Sequence, residues 1–273
     1  MNDTHLLAID PQVDFCHPEG SLFVPGADED MARLARLVEG LGDRLAAVHV
    51  TLDTHQRHDI SHPGWWRDAE DRSPAPFTTL TATELEQGHW RTAVEGAHAR
   101  SLEYLRKLEE GGRHPHVVWP EHCLVGSPGH AVDATLLGAL HGWEAGGRRV
   151  DFVLKGNNPW TEHFSAFRAE VSDYRDPSTD WNVELVERLR GAERLLVTGE
   201  ARSHCVAHSL RDLVTALNDP AAVKRLVLLT DTTSDVPGFE DEGIALLDEA
   251  SRAGVRLATT TEIAAELGVT LAH

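Results

Sequence analysis

The chain has 273 residues, of which 41% are apolar, so it can bury a sizeable core and is not a disordered chain. Acidic side chains outnumber basic ones by 44 to 25, which gives a net charge of −19 at neutral pH. Such a surface repels phosphate backbones and anionic lipid, so we expect neither nucleic acid nor a membrane as a partner. The sequence also has no apolar run of the roughly 18 to 20 residues that a membrane-spanning helix needs.

The N-terminal residues and the number of cysteines indicate the cellular compartment. Residues 1–5 carry no basic region before the first apolar run, so we expect no secretory signal. The cysteines, at positions 16, 123 and 205, are few and odd in number, which argues against a disulfide framework. We therefore predict a cytoplasmic protein whose cysteines are buried, close to a metal, or nucleophilic.

Short β-rich runs alternate with helical patterns along the chain. The predicted strands cover 5–10, 45–52, 150–154, 195–199, 226–230 and 255–258. The predicted helices cover 28–41, 131–140, 182–190 and 242–253, with one more beginning near residue 205 and another at the C-terminus. This alternation predicts a three-layer α/β/α domain whose mostly parallel central sheet is covered on both faces.

Residues 63–115 interrupt the alternation. They contain Trp65 and Trp66, a proline-rich turn, a capping-box pattern at Thr81 and Glu84, and a helical run over 97–110. Because the sheet pattern resumes afterwards, we interpret this segment as an insertion within one domain that covers 1–273. Its apolar side chains predict burial over a pocket or against another subunit, and hence a homo-oligomer.

Polar or reactive residues follow four of the predicted strands. Asp10, Asp53, Lys155 and the segment 200–205 each come directly after a strand. Ligands of parallel sheets bind beyond the carboxyl ends of the strands, so we expect these residues to meet at one edge.

The segment 199–205 is the strongest candidate for a nucleophile. A glycine ends a strand, small residues form a turn, and Cys205 begins a helix, where the helix dipole favours a thiolate and free amides can hold an oxyanion. A small buried side chain at a strand–helix junction explains the same residues equally well. Asp10 could be a general base or a cap, and Lys155 near it would lower the pKa of both a carboxylate and a thiol.

Asp53 and His55 are candidate metal ligands. Residues i and i+2 of an extended segment point the same way, so this carboxylate and imidazole can share a metal ion. The third ligand could be His58, His62 or His122. The chain has 17 histidines, and most of them must be surface or core residues.

Five segments occur together in the order found in nicotinamidases, which belong to the isochorismatase-like cysteine hydrolases. The matching segments are Asp10-Pro11-Gln12-Val13-Asp14-Phe15, Asp53-Thr54-His55, Trp119-Pro120-Glu121-His122-Cys123, Lys155-Gly156, and Gly199 with Ala201, His204 and Cys205. The chain resembles this family over roughly residues 5 to 235 apart from the insertion. It departs from the family pattern at Glu200, at Arg202-Ser203 and in the insertion.

The resemblance implies a role for each matching residue. Asp10, Lys155 and Cys205 would form the catalytic triad, the amides of Ala201 and Cys205 the oxyanion hole, and Asp53, His55 and His122 the metal ligands. Phe15, Trp119 and His204 would contact the substrate, and the Glu200–Ala201 peptide is expected to be cis. The implied cofactor is one divalent ion with open coordination positions, Zn²⁺ in the first place and Fe²⁺ or Mn²⁺ as alternatives.

The implied activity is hydrolysis of a small carboxamide, nicotinamide above all, to nicotinate and ammonia through a cysteine thioester. Another amide or ureido substrate would use the same triad. A metallohydrolase with metal-activated water and a structural Cys205 is an alternative from a different class, and a non-catalytic α/β binding protein is another.

Overall fold

The computed structural model describes residues 3–271. Met1 and Asn2, on which part of the expectation about a secretory signal rests, lie outside the described residues, as do 272 and 273.

Within that range the strands and helices follow the predicted alternation. The strands are β1 (Thr4–Ile9), β2 (Leu45–Asp53), β3 (Trp66–Arg67), β4 (Thr79–Leu80), β5 (Arg91–Thr92), β6 (His116–Val117), β7 (Asp151–Lys155), β8 (Arg194–Gly199), β9 (Leu226–Leu229) and β10 (Arg256–Ala258). The helices are α1 (Val13–Cys16), α2 (Ala27–Leu41), α3 (Ala82–Glu86), α4 (His98–Gly111), α5 (Ala134–Glu144), α6 (Val183–Arg190), α7 (Ala207–Leu217), α8 (Pro220–Val223), α9 (Glu240–Ala253) and α10 (Thr260–Glu266).

The central sheet has the strand order β10-β9-β8-β1-β2-β7, and every neighbouring pair is parallel. Helices α2, α5 and α10 pack together, and α6, α7 and α9 form a second group. The predicted three-layer α/β/α class with a parallel sheet is therefore confirmed. The apolar strands β1, β8 and β9 lie almost wholly inside, as expected for a sheet covered on both faces.

The order of the strands explains where a site can form. The chain runs outward from β1 through β2 to β7, and then returns to the other side of β1 with β8. The carboxyl ends of β1 and β8 therefore lie at the point where the winding direction reverses, and ligands of open α/β sheets bind at such a point.

Element boundaries shift from their predicted positions by a few residues where local hydrogen bonds decide them. Helix α5 begins at Ala134 rather than at 131, because the Asp133 side chain accepts hydrogen bonds from the amides of Thr135 and Leu136. The regular helix expected near Cys205 begins later, at Ala207, and residues Arg202–Val206 form a wider π-helical turn instead.

The insertion builds a small core of its own. Strands β3 and β5 pair antiparallel, as do β4 and β6, and the capping box of Thr81 and Glu84 is formed. Trp65 and Trp66 are buried within this core together with side chains of α3 and α4. The chain therefore covers both tryptophans itself, and their burial gives no support to the predicted homo-oligomer, which stays a prediction.

Across residues 3–271, none of the helices has both the length and the hydropathy required to span a membrane.

Candidate functional site

A sharp turn after β8 positions Cys205. Gly199, the last residue of the strand, has φ +118°, and a Cβ at this position would lie 1.9 Å from the carbonyl oxygen of Ile9. Only glycine therefore allows β8 to pass this close to β1. The Glu200–Ala201 peptide that follows is cis, as the resemblance implies. The turn buries Cys205 with its sulfur at the carboxyl edge of the sheet.

Lys155 lies at the centre of the polar cluster. Its ammonium nitrogen is 2.9 Å from Asp10 Oδ2, 3.0 Å from Asp53 Oδ1 and 3.6 Å from Cys205 Sγ. It also donates to the carbonyl oxygen of His163 at 2.7 Å. All four side chains are buried, so one cation lies between two carboxylates and a thiol with little access to water. The structure thus brings the three residues of the proposed triad together.

Asp10 is held from one side by the neighbouring strand. The Thr51 hydroxyl donates to Asp10 Oδ1 at 2.6 Å, and the Asp10 amide lies 3.0 Å from the same hydroxyl oxygen. Burial raises the pKa of Asp10 above its usual value, while the charge of Lys155 lowers it. Because the net direction is upward, the carboxylate is a stronger base than an exposed aspartate.

Cys205 does not have the depressed pKa that its position near a helix N-terminus suggested. Burial raises the pKa of the thiol well above its usual value, Lys155 lowers it, and the charges of Asp10 and Asp53 raise it further. The loss of water and two nearby carboxylates therefore outweigh the ammonium group of Lys155. The thiol is neutral in the resting site and needs a base for activation.

Asp53, His55 and His122 meet on the other side of Lys155. Asp53 Oδ2 lies 3.0 Å from His55 Nε2 and 3.5 Å from His122 Nε2, and the centroids of the two imidazole rings are 4.6 Å apart. All three are buried. The structure therefore brings together the three ligands that the resemblance implied, and it joins them to Lys155 through the second oxygen of Asp53.

His62 belongs to the same cluster, whereas His58 does not. Donor atoms of His55, His62 and His122 lie within 4.8 Å of one another, and His62 is fully buried. Its Nδ1 has no hydrogen-bond partner among the described residues. His58 is exposed. A carboxylate and several imidazoles with an unpaired buried nitrogen form a donor set that suits Zn²⁺ or Fe²⁺, so the residues present fit a divalent ion.

Two supporting contacts of the metal cluster were not predicted. Asp59 accepts a hydrogen bond from His55 Nδ1 at 3.0 Å and from the Ser61 amide at 3.0 Å, which turns His55 Nε2 towards Asp53. His122 Nδ1 lies 2.8 Å from the carbonyl oxygen of Pro120, which leaves its Nε2 for the cluster. Such outer contacts fix the tautomer of a ligating histidine.

A small chamber lies over Cys205. It is lined mainly by apolar and aromatic side chains together with members of both clusters, namely Phe15, Leu22, Asp53, Trp119, His122, Glu162, Phe164, Ala201, His204, Cys205 and Val236. Phe15, Trp119 and His204 therefore lie where the resemblance placed substrate contacts. The aromatic and apolar lining suits a small aromatic molecule.

Glu162 is a chamber residue that sequence reasoning missed. Its Oε1 accepts a hydrogen bond from the His163 amide, and its buried Oε2 has no partner among the described residues. Burial raises the pKa of this carboxyl group. Glu162 neither follows a predicted strand directly nor belongs to one of the matching segments, so the sequence gives no signal for it. Only the fold of the loop after Lys155 brings it to the chamber.

His204 is part of an aromatic wall. Its ring lies 5.0 Å from Trp119, 5.3 Å from Phe164 and 4.7 Å from Phe239 between centroids. Burial lowers the pKa of His204 to about 3, so the ring is neutral at physiological pH. Its Nδ1 lies 2.9 Å from the Ser203 hydroxyl. The wall is therefore uncharged on this side of Cys205.

Glu200 and Arg202, which depart from the pattern of the family that the chain resembles, are not among the residues that line the chamber. Glu200 is buried behind the turn, where its Oε2 accepts from the Ser234 amide at 3.1 Å, and burial raises its pKa well above the usual value. Arg202 pairs with Asp235 through two nitrogen atoms. These contacts fasten the nucleophile turn to residues 234–235 and add no charge to the chamber lining.

Comparison with known proteins shows likeness in structure but not in sequence. The chain matches no protein-family model, and no curated protein matches its sequence. A nicotinamidase/pyrazinamidase of Acinetobacter baumanii is similar over 96% of this chain and 99% of that chain, with a TM-score of 0.65 and 19% identity. The yeast nicotinamidase is similar over 93% of this chain and 99% of that chain, with a TM-score of 0.64 and 19% identity.

A pyrazinamidase of Pyrococcus horikoshii, solved in complex with zinc, is similar over 94% of this chain and 99% of that chain, with a TM-score of 0.55 and 17% identity. The likeness thus covers nearly the whole length of each of these proteins. The chain has the fold shared by these nicotinamidases and pyrazinamidases.

Proposed function

We propose that this chain is a metal-containing cysteine amidohydrolase that converts a pyridine carboxamide, nicotinamide in the first place, to the carboxylate and ammonia. The observation that carries the proposal is the position of Lys155, whose ammonium nitrogen contacts Asp10, Asp53 and Cys205 together. One buried cation thereby links an acid–base and nucleophile pair to a ring of metal-binding side chains. The nicotinamidases and pyrazinamidases that share the fold support the choice of substrate class.

The first half of the reaction forms a thioester. Asp10 takes the proton of the neutral Cys205 thiol while the sulfur attacks the carboxamide carbon. The carbonyl oxygen becomes negatively charged and is held by the backbone amides of Ala201 and Cys205. When the carbon–nitrogen bond breaks, Asp10 returns its proton to the leaving nitrogen, which departs as ammonia. The raised pKa of Asp10 suits both directions of this transfer.

The second half hydrolyses the thioester. Asp10, again a carboxylate, removes a proton from a water molecule that attacks the thioester carbon in the place of ammonia. The same two amides hold the oxyanion, and the proton passes from Asp10 to the leaving sulfur. Cys205 is restored as a thiol and the carboxylic acid is released.

Lys155 keeps both carboxylates ionised and in place. Its own pKa is raised well above the usual value, because the attraction of Asp10 and Asp53 outweighs the cost of burial, so it stays charged. A buried cation between two carboxylates costs far less than two unpaired carboxylates would. Lys155 thus orients Asp10 towards the sulfur and Asp53 towards the histidines.

Asp53, His55 and His122 would hold the metal ion, with His62 beside them. When bound, the ion supplies a Lewis-acid position that can hold the ring nitrogen of the substrate, or a water next to it, and so orient the carboxamide. Phe15 and Trp119 line the chamber that Asp53 and His122 also border. The chain's own residues then place the amide carbon over Cys205.

The experiment that tests the proposal measures ammonia release from nicotinamide, pyrazinamide, benzamide and a ureido compound, with the metal content of the same sample determined by mass spectrometry. We expect turnover of the first two, together with at least one bound divalent ion per chain. Iodoacetamide should abolish turnover in step with modification of Cys205. Turnover that survives complete modification of Cys205 and depends on the metal would establish the metallohydrolase alternative, and no turnover of any amide would overturn the proposal.

A further inference from the structure

A second group of metal-binding side chains lies outside the catalytic chamber. His114, Glu170 and His208 each place one donor atom within 4.8 Å of the other two. They come from separate parts of the chain, since His114 follows α4 at the end of the insertion, Glu170 lies between β7 and α6, and His208 is on α7. The Glu170 side chain is 0% exposed and that of His208 is 6% exposed. The proposed function uses none of the three.

The contacts of His114 leave a place for a cation between these side chains. Its Nδ1 lies 2.8 Å from the carbonyl oxygen of Pro115, and because a carbonyl only accepts, this nitrogen carries the proton. In the neutral ring Nε2 then has a lone pair, which lies 3.2 Å from Glu170 Oε2. The two atoms are not aligned for a hydrogen bond, and both are buried without a hydrogen-bond partner among the described residues. Two electron-rich atoms at this distance need a cation or a proton between them. Burial lowers the pKa of His114 but the contacts with Glu170 raise it above the usual value, so a proton on Nε2 competes with a metal ion for this place.

The same arrangement occurs at the catalytic cluster. There His122 Nδ1 lies 2.8 Å from the carbonyl oxygen of Pro120, and Nε2 lies 3.5 Å from a carboxylate oxygen of Asp53. A histidine that binds a metal ordinarily gives its other N–H to such an acceptor. Donor atoms at about 2.0 to 2.1 Å from a tetrahedral zinc ion lie roughly 3.3 Å apart, which is close to the separation of His114 Nε2 and Glu170 Oε2.

Two further side chains, those of His208 and Arg113, contact the Glu170 carboxylate. His208 Nδ1 lies 3.1 Å from Glu170 Oε1, so it contacts the other oxygen of the carboxylate. Arg113 Nη1 lies 3.4 Å from Glu170 Oε2 and competes with a metal for this oxygen. Arg113 also lies 3.4 Å from Asp212 through Nη2, so it keeps an ionic partner when it turns away from Glu170.

We propose that His114, Glu170 and His208 bind a second divalent ion of the zinc type, separate from the ion at Asp53. Two imidazoles and a carboxylate are a donor set that zinc takes readily. The ion would tie the end of the insertion to α7, the helix that follows the nucleophile turn. The rings of His114 and His208 pack on Phe164 at 4.7 Å and 5.2 Å, and Phe164 lines the catalytic chamber. An ion here therefore fixes one wall of the chamber.

The test counts bound ions. Full-length protein is loaded with Zn²⁺, passed over a mild chelating resin to remove surface-bound metal, and analysed by mass spectrometry of the metal. Wild-type protein should retain two equivalents, and His114→Ala and His122→Ala one each. The double variant should retain none. His98→Ala, which removes an exposed histidine at the start of α4, should keep two and serves as the matched control.

Two further measurements distinguish the loss of a metal ligand from misfolding of a variant. Glu170→Gln retains the size of the side chain and should also lose one equivalent, with a far-UV circular dichroism spectrum like that of the wild type. Zn²⁺ added to metal-free His122→Ala should raise its Tm, and added to the double variant should not. A wild-type protein with one ion, lost in His122→Ala and kept in His114→Ala, would overturn the second site. One ion lost only in His114→Ala would support this site and count against the metal of the proposed function.

Discussion

Asp53 and Lys155 are paired twice, once through their backbones and once through their side chains. They are register partners at the ends of β2 and β7, and the Lys155 ammonium nitrogen lies 3.0 Å from Asp53 Oδ1. Register partners in neighbouring strands point their side chains to the same face. The sheet itself therefore couples the metal cluster, which uses the other oxygen of Asp53, to the residue that holds Asp10 and Cys205 in place.

The first prediction concerns the nucleophile. Cys205→Ala should abolish ammonia release while the metal content and the circular dichroism spectrum stay as in the wild type, because Cys205 supplies the sulfur of the thioester and is not one of the side chains proposed to bind the metal. Cys16→Ala and Cys123→Ala are matched controls, since both thiols are fully buried and burial raises the pKa of each well above the usual value. Activity retained in Cys205→Ala would place the reaction on metal-activated water.

The residues at the carboxyl edge of the sheet could be predicted because the ends of strands are recognisable in a sequence. Asp10, Asp53, Lys155 and the turn before Cys205 all follow apolar runs, and the rule for parallel sheets then brings them together. The rest depends on contacts that no local pattern encodes. Glu162 and His62 reach the clusters through loops, and the small core around Trp65 needs side chains from α3 and α4 that lie far away in the sequence.

The depressed pKa expected for Cys205 fails for a related physical reason. The sequence shows a helix that begins near the thiol, but it does not show how much water the turn excludes. Burial and the charges of Asp10 and Asp53 together raise the pKa of the thiol by more than Lys155 lowers it. Only the three-dimensional arrangement shows that two carboxylates lie close enough to act on the sulfur.

The second prediction separates catalysis from stability at Lys155. Lys155→Met leaves Asp10 and Asp53 buried without their shared cation, which should lower the free energy of unfolding by about 3 to 5 kcal/mol and reduce kcat/KM by several orders of magnitude. Asp10→Asn should reduce kcat/KM to a similar extent with a smaller effect on stability.

The double variant is the sharper test, measured by urea unfolding and ammonia release. Asp10→Asn should partly restore the stability that Lys155→Met loses, because one of the two unpaired carboxylates is gone. Its kcat/KM should be little worse than that of either single variant, since the two residues act as one unit. Additive losses in both quantities would show that Lys155 and Asp10 act independently.

The third prediction ranks the histidines at the catalytic metal. His122→Ala should lose the ion held at Asp53, because Nε2 of this ring faces the carboxylate and Nδ1 is already engaged. His62→Ala should keep the ion with about 10- to 100-fold weaker affinity, as for an outer neighbour of the ligands. Titration of metal-free protein with Zn²⁺ measures both, and exposed His58→Ala is the control. Equal loss in His62→Ala and His122→Ala would make His62 a ligand.

The fourth prediction follows from the lowered pKa of His204. Burial holds this pKa at about 3 in the folded chain, whereas an unfolded histidine titrates near 6.5. Below pH 6.5 the unfolded chain therefore binds a proton that the folded chain does not. Below pH 6.5 the free energy of unfolding should fall by about 1.4 kcal/mol for each pH unit, down to the folded pKa. Above pH 6.5 His204 causes no such loss of stability.

His204→Phe keeps the aromatic wall and removes the titrating group. Urea unfolding at pH 8 and pH 5.5 should show that the wild type loses about 1.4 kcal/mol more than the variant between the two conditions. An identical pH dependence in both proteins would mean that His204 is already protonated in the folded chain, and that the wall beside Cys205 carries a charge.

The last prediction concerns the substrate. A metal site beside Phe15 and Trp119 suits a flat ring with a lone-pair nitrogen, and a carboxamide placed meta to that nitrogen can reach Cys205 while the nitrogen faces the metal cluster. Benzamide keeps the ring and the amide but has no ring nitrogen. If the contact with the metal persists in the transition state, its loss should cost at least about 3 kcal/mol, or roughly a hundredfold in kcat/KM. Glu200 gives no reason to expect a cationic substrate instead, because it lies behind the turn and outside the chamber lining. Equal kcat/KM for nicotinamide and benzamide would leave the amidase chemistry in place and remove the pyridine nitrogen from substrate recognition.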